Sequence, residues 1–168
     1  MKLILVMAIT VDGKIALHNT HFPDWTCSED KRMFRAVTQQ SGVVIMGSRT
    51  YQTIGKPLPK RLNVVLTRQP RRYAPSKSLI YTNDPPGLIL EKLSARGYDS
   101  AALIGGEMIN NLFAQSKLID EIIVTVAPTL FGTGLSLFSC PVNMDLALIS
   151  LKQLESDHIM LHYRVTSP

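Results

Sequence analysis

The 168-residue chain predicts a single α/β domain, with a mainly parallel sheet flanked by helices and an antiparallel edge at its carboxyl-terminal end. Three observations carry that expectation. Short runs of branched apolar residues alternate with segments of helical spacing as far as Ala127, the arrangement of a sheet buried on both faces. Near the end, two alternating segments follow each other with no helix between them, as an antiparallel pair does. With 45% apolar and 18% charged residues, a chain of this length buries roughly two thirds of its unfolded surface and needs no metal or crosslink to fold.

Leu3 to Ile9 is a continuous apolar run that suits a first, fully buried strand. Thr10 to Cys27 is polar, carries the Asp12-Gly13 turn signal and Pro23, and reads as a long mobile loop. Thr26 or Ser28 can cap a helix starting near Glu29, in which Met33, Phe34 and Val37 recur at helical spacing until Ser41-Gly42 stops it. Val43 to Met46 is a second buried strand, Ser48 to Ile54 at most a short helix, and Pro57 and Pro59 force an extended connection to a third strand, Leu62 to Leu66. A basic loop, Arg68 to Lys77, leads to a strand over Ser78 to Thr82, and Leu88, Leu90 and Leu93 mark a helix ending by Arg96-Gly97. Ala101 to Ile104 is a strand running into Gly105-Gly106, and Glu107 to Gln115 a helix. Ile122 to Ala127 is a strand closed by Pro128; Leu146 to Leu154 and Ile159 to Val165 form the terminal pair, joined near Ser156-Asp157.

The net charge is +5, but its distribution is uneven. Residues 31–83 hold no carboxylate and eleven Lys or Arg, so the remainder of the chain is net acidic. That split points to an anionic partner docking on one part of the surface, either nucleic acid or a polyphosphate cofactor with an anionic substrate. Only Tyr73 and Tyr81 lie near the basic loop, too few aromatics for a nucleic-acid platform. No apolar run spans a bilayer and Met1 to Ile9 lacks a signal-peptide cleavage site, so neither membrane nor secretion is expected and the location expected is cytoplasmic. Cys27 and Cys140 read as free thiols, and His158 with His162 lacks a third ligand, so no metal is expected. Gly132-Thr133-Gly134 precedes an apolar run and reads as a tight turn rather than a phosphate loop. Gly47-Ser48 and Gly105-Gly106 each follow a buried strand and open a helix, where free N–H groups favour an anion; together they form a cradle for dinucleotide phosphates.

Residues 44–67, Val-Ile-Met-Gly-Ser-Arg-Thr-Tyr-Gln-Thr-Ile-Gly-Lys-Pro-Leu-Pro-Lys-Arg-Leu-Asn-Val-Val-Leu-Thr, resemble the middle of dihydrofolate reductase. Trp25, Asp30 and Phe34 resemble the residues lining that family's pterin pocket, Leu103-Ile104-Gly105-Gly106 its second cofactor turn, and Thr125 its threonine hydrogen-bonded near the acid. Val11 to Ala16 and Ala127 to Gly134 look like a sister branch, the carboxyl-terminal reductase domain of riboflavin biosynthesis (RibD), which shares the fold and NADPH chemistry.

The resemblance implies an NADPH-dependent reductase in which Asp30, Trp25 and Thr125 serve catalysis. It places Val6, Ala8, Lys31, Phe34, Ile54, Lys56, Leu58, Arg61 and Ile104 against the substrate. The cofactor would meet Ala8, Ile15, Gly47, Ser48, Arg49, Thr50, Leu66, Thr67, Arg68, Ile104, Gly105, Gly106, Glu107, Met108 and Ile109, with Arg49, Thr67 and Arg68 on the 2′-phosphate. Ser48 replaces an arginine common in the family, and Glu107 a third glycine. Dihydrofolate or a close pterin is the leading substrate, because Arg61 matches the arginine gripping folate's glutamate tail. The alternative is a ribosylaminopyrimidine phosphate, which Lys31, Lys56 and Arg61 would also hold. A non-catalytic nucleotide-binding or nucleic-acid-binding domain is the remote reading. The oligomeric state stays open between monomer and homodimer.

Overall fold

The computed structural model describes residues 1–167. In chain order the elements are β1 (Lys2–Thr10), β2 (Lys14–Ala16), α1 (Ser28–Ser41), β3 (Val43–Gly47), α2 (Ser48–Ile54) and β4 (Leu62–Leu66). A short 3-10 turn, Pro70–Arg72, precedes β5 (Leu79–Thr82), α3 (Pro86–Ser94), β6 (Ser100–Leu103) and α4 (Glu107–Gln115). Then come β7 (Glu121–Ala127), β8 (Leu135–Ser136), β9 (Asp145–Gln153) and β10 (Ile159–Ser167).

One sheet runs in the order β5-β4-β3-β6-β1-β7-β10-β9. Its strands are parallel from β5 through β7, β10 pairs antiparallel with β7, and β9 antiparallel with β10, the mixed architecture expected from the sequence. The side chains of β3 and β4 are buried throughout because both faces of the sheet are covered there. On one face Leu3, Leu5, Ile45, Val64 and Leu103 pack with Ile89 and Leu93 of α3 and Phe113 of α4. On the other, Val6, Val44, Met46, Val65 and Ile104 meet Phe34 and Val37 of α1 and Ile54 of α2. Since β10 runs against β1, the first residue of the chain and Ser167 both lie at the amino end of the sheet, with β7 between their strands. No helix among the described residues is long and apolar enough to cross a membrane.

Three local expectations change. The residue capping α1 is neither Thr26 nor Ser28 but Cys27, whose Sγ accepts from Asp30 N at 3.4 Å, a thiol taking the place of the usual hydroxyl. The loop 10–27 is not wholly irregular, because β2 within it pairs with β8. Both strands are too short to announce themselves by periodicity, and tertiary contact makes them. Gly134 permits the pairing: with φ of 130°, it lets β8 approach so closely that a Cβ there would lie 2.3 Å from the Ala16 carbonyl oxygen. Finally, α3 begins two residues ahead of its first leucine, with Pro86 in the first turn where a missing N–H costs nothing.

Candidate active site

A cleft of about 1680 Å³ opens at the carboxyl ends of the central strands, where parallel α/β sheets place ligands. Its walls come from β1, β2, α1, α2, β4, α4 and β7, with Gly47 at the end of β3 and Ile104 just beyond β6. Every site residue expected from the sequence lines it except Gly105. That glycine lies behind the surface, its carbonyl accepting from Gly47 N at 2.9 Å, and its peptide bond to Gly106 is cis.

One end of the cleft is built on α1. Asp30 sits in the first turn, half-buried, with Trp25, Phe34, Ile54 and Thr125 on the same cleft. Trp25 packs edge-on against Phe131 with ring centroids 5.4 Å apart, and its indole Nε1 is buried without a hydrogen-bond partner. Thr125 is 3% exposed and paired in the sheet between Ala8 and Met160, and among the described residues no hydrogen bond joins it to Asp30. The helix start that presents Asp30 is held from afar. Glu155, in the turn between β9 and β10, accepts from Ser28 Oγ and, at 2.8 Å, from Glu29 N. Glu29 answers by accepting from Glu155 N at 3.1 Å and pairing with Lys152 Nζ at 2.6 Å. The Lys152 ammonium above all holds the Glu29 carboxyl below its ordinary range, and the Ser28 hydroxyl does the same for Glu155.

At the far end of this wall Arg61 is only 6% exposed. Its Nε donates to Pro59 O at 2.9 Å and Nη1 to Thr38 Oγ1, leaving donors of the fork free for a ligand. No carboxylate pairs with it among the described residues, and burial, then the neighbouring Arg35 charge, pulls its pKa down. A buried cation without a counter-ion is costly, so the place invites an anion. Lys31, Arg35 and Lys56 stand exposed on the same cleft.

The other end is formed by two strand-to-helix turns. Gly47 and Gly106 are the N-caps of α2 and α4, and neither helix has a side-chain cap, so their first N–H groups face the cleft free. A Cβ on Gly47 would lie 2.9 Å from Ile109 Cγ1, which is why glycine occupies this crossing of turn and helix. Arg49 and Arg68 are exposed at the rim beside Thr67, and Arg49 Nη1 donates to Asn19 Oδ1 at 3.2 Å. Glu107, standing in place of a glycine, is tied down: its carboxylate accepts from Ser136 N at 2.9 Å and so anchors β8 to the start of α4.

Several residues with structural claims on the site escaped the sequence reading. Asn63, fully buried, exchanges hydrogen bonds with Leu58 and donates to the Arg61 carbonyl, fixing the segment that carries both; its signal was a lone amide inside an apolar strand. Thr38 and Asn19, which hold the two arginines, gave no signal, since nothing in helical or loop spacing marks a partner far along the chain. His158 and His162 are engaged separately, with Ser156 O and with Glu121.

Similarity to known proteins agrees with this geometry. A 58-residue stretch is 43% identical to dihydrofolate reductase type A13 of Escherichia coli, although it spans only 34% of either chain. The uncharacterized protein YwjB of Bacillus subtilis is 27% identical over 96% of this chain and 97% of its own. In fold, a putative riboflavin biosynthesis protein from Shewanella superposes with a TM-score of 0.83 over 99% of both chains at 20% identity. The dihydrofolate reductase family model matches residues 2–157, nearly the whole chain, and the protein belongs to that family.

Proposed function

We propose that the protein is an NADPH-dependent reductase that delivers hydride to a pterin ring, with dihydrofolate as its substrate. One observation carries this reading: Asp30, with no cationic side chain paired to it among the described residues, and the buried Arg61, paired with no carboxylate among them, share one cleft. Asp30 accepts from the amino and ring N–H groups of a pterin and favours protonation of the ring before reduction. Arg61 presents its free fork to the tail carboxylate. Gly47, Gly106 and the uncapped helix starts fit a dinucleotide's phosphates, while Arg49 and Arg68 fit an added 2′-phosphate. The nicotinamide supplies the hydride when bound.

The exposed Lys31 and Lys56 favour a second reading, in which the anionic tail is a ribose phosphate and the substrate a ribosylaminopyrimidine phosphate. The Shewanella protein, named for riboflavin biosynthesis, supports it through fold alone. Oxidation of NADPH, followed by the loss of its near-ultraviolet absorbance with each substrate in turn, tests both. Turnover of dihydrofolate alone is the expected result; turnover of the pyrimidine alone replaces it with the second reading, and oxidation of neither defeats the proposal.

A further inference from the structure

Tyr73 is an exposed aromatic ring that its neighbours hold in place. It is 38% exposed and lines the cleft along with Thr67, Arg68, Asn83 and Asp84. One of its faces is covered by Tyr81, with ring centroids 4.6 Å apart and planes 16° from parallel. Tyr81 in turn meets the ring of Tyr51 edge-on, at 6.0 Å and 90°, so the stack is braced on α2. The backbone is held as well: Tyr73 N donates to Pro70 O at 3.2 Å, closing the 3-10 turn, and Pro70 and Pro75 restrict the chain on either side. A ring ordered in this way offers a flat apolar surface to a ligand at little further entropic cost.

We propose that the uncovered face of Tyr73 receives the adenine ring of the cofactor by stacking, an assignment that rests on the reading of this cleft as an NADPH site. The order of the strand ends carries it. At their carboxyl ends β3, β4 and β5 lie side by side, with Gly47 beside Leu66 and Leu66 beside Thr82. The uncapped start of α2 at Gly47 fits the phosphate bridge, and Arg68, two residues past Leu66, fits the phosphate on the adjoining ribose. A dinucleotide laid along these ends brings its base one strand further on, two strand spacings or about 10 Å from Gly47, to the end of β5 that carries Tyr81 and its partner Tyr73. Asp84, on the same end, is paired with Lys92 Nζ at 2.7 Å, which offsets its repulsion of the ribose phosphate. Ring-on-ring contact needs no polar reading of the base, since every base has a π face.

Adenosine 2′,5′-bisphosphate, which carries the base and the ribose phosphate but no nicotinamide, is the probe. Calorimetric titration should show it binding the wild type, binding Tyr73→Ala about tenfold or more weakly, and binding Tyr73→Phe about as well as the wild type, because the ring and not the hydroxyl makes the contact. In the wild-type complex the adenine H2 and H8 proton resonances should move upfield under the tyrosine ring current, and in Tyr73→Ala that movement should shrink. Reduced nicotinamide mononucleotide, which lacks the adenosine half, should bind the wild type and Tyr73→Ala alike. Unweakened binding to Tyr73→Ala, a Tyr73→Phe variant as weak as Tyr73→Ala, unmoved adenine resonances, or an equal loss of the mononucleotide would each overturn the stacking while leaving the NADPH reading in place. A wild type that binds neither the bisphosphate nor NADPH would overturn both.

Discussion

Asp30 sits in the first turn of a helix, where a carboxylate is also welcome for its effect on the dipole, so the proposed role of its charge has to be separated from that of its shape. Asp30→Asn keeps the shape and removes the charge that favours a protonated ring. Under the proposed chemistry the hydride step at neutral pH should fall by about 10² and recover partly as the pH is lowered. Single-turnover rates across pH measure this, and a wild-type rate would place the chemistry elsewhere. Arg61 and Lys31 divide the two candidate substrates. Arg61→Lys replaces a planar fork by a point charge and should cut kcat/KM for dihydrofolate severely, whereas Lys31→Leu should leave it unchanged or improved, since an apolar side chain packs better beside a benzoyl ring. Losing activity on Lys31→Leu while tolerating Arg61→Lys is the pattern of a phosphate-tailed substrate instead.

At the scale of elements, α1 depends on a hairpin more than a hundred residues away. Because Glu155 accepts from Ser28 and Glu29, the turn between β9 and β10 sets where α1 begins and hence where Asp30 points. Glu155→Ala should raise the substrate KM several-fold and lower kcat while leaving the KM for NADPH unchanged; equal effects on both ligands would indicate general loosening. A second tie joins the loop 10–27 to the segment after β7, where Asp12 accepts from Thr10 Oγ1 at 2.5 Å, Gly132 N at 2.7 Å and Phe131 N at 3.2 Å. The Thr10 hydroxyl above all lowers the Asp12 pKa to about 2. A carboxyl whose pKa falls on folding adds stability that is whole above the ordinary carboxylate range and is lost as pH drops toward that lowered value. Trp25, the one tryptophan, rests on Phe131 and reports the release. Its emission should change between about pH 4 and 2 in the wild type, and in Asp12→Asn the step should be missing. The major strands and helices were legible because burial on two faces writes itself as apolar runs and α1 as a helical period. β2, β8 and the Cys27 cap were not, since two- and three-residue strands and a thiol acceptor exist only through contacts distant in sequence.

For the whole molecule, the uneven charge was the most informative global property, and the structure accounts for part of it: Lys31, Arg35, Arg49, Lys56, Arg61 and Arg68 all line one cleft. Tyr73 stacks on Tyr81 with centroids 4.6 Å apart and interplanar angle 16°, and this pairing keeps Tyr73 at the same rim. Which residues line the cleft was therefore legible through the motif they share with a family, whereas the hydrogen bonds that hold them were not. The direction of β10 has a practical consequence as well. Met1 and Ser167 sit at the sheet's amino end, two strand spacings or about 10 Å apart, on the side remote from the cleft. A tether, a reporter or a fused protein attached at either end leaves the mouth of the cleft unobstructed. A linker of only a few residues from Ser167 back to Met1 can close the backbone into a circle without asking any strand to move.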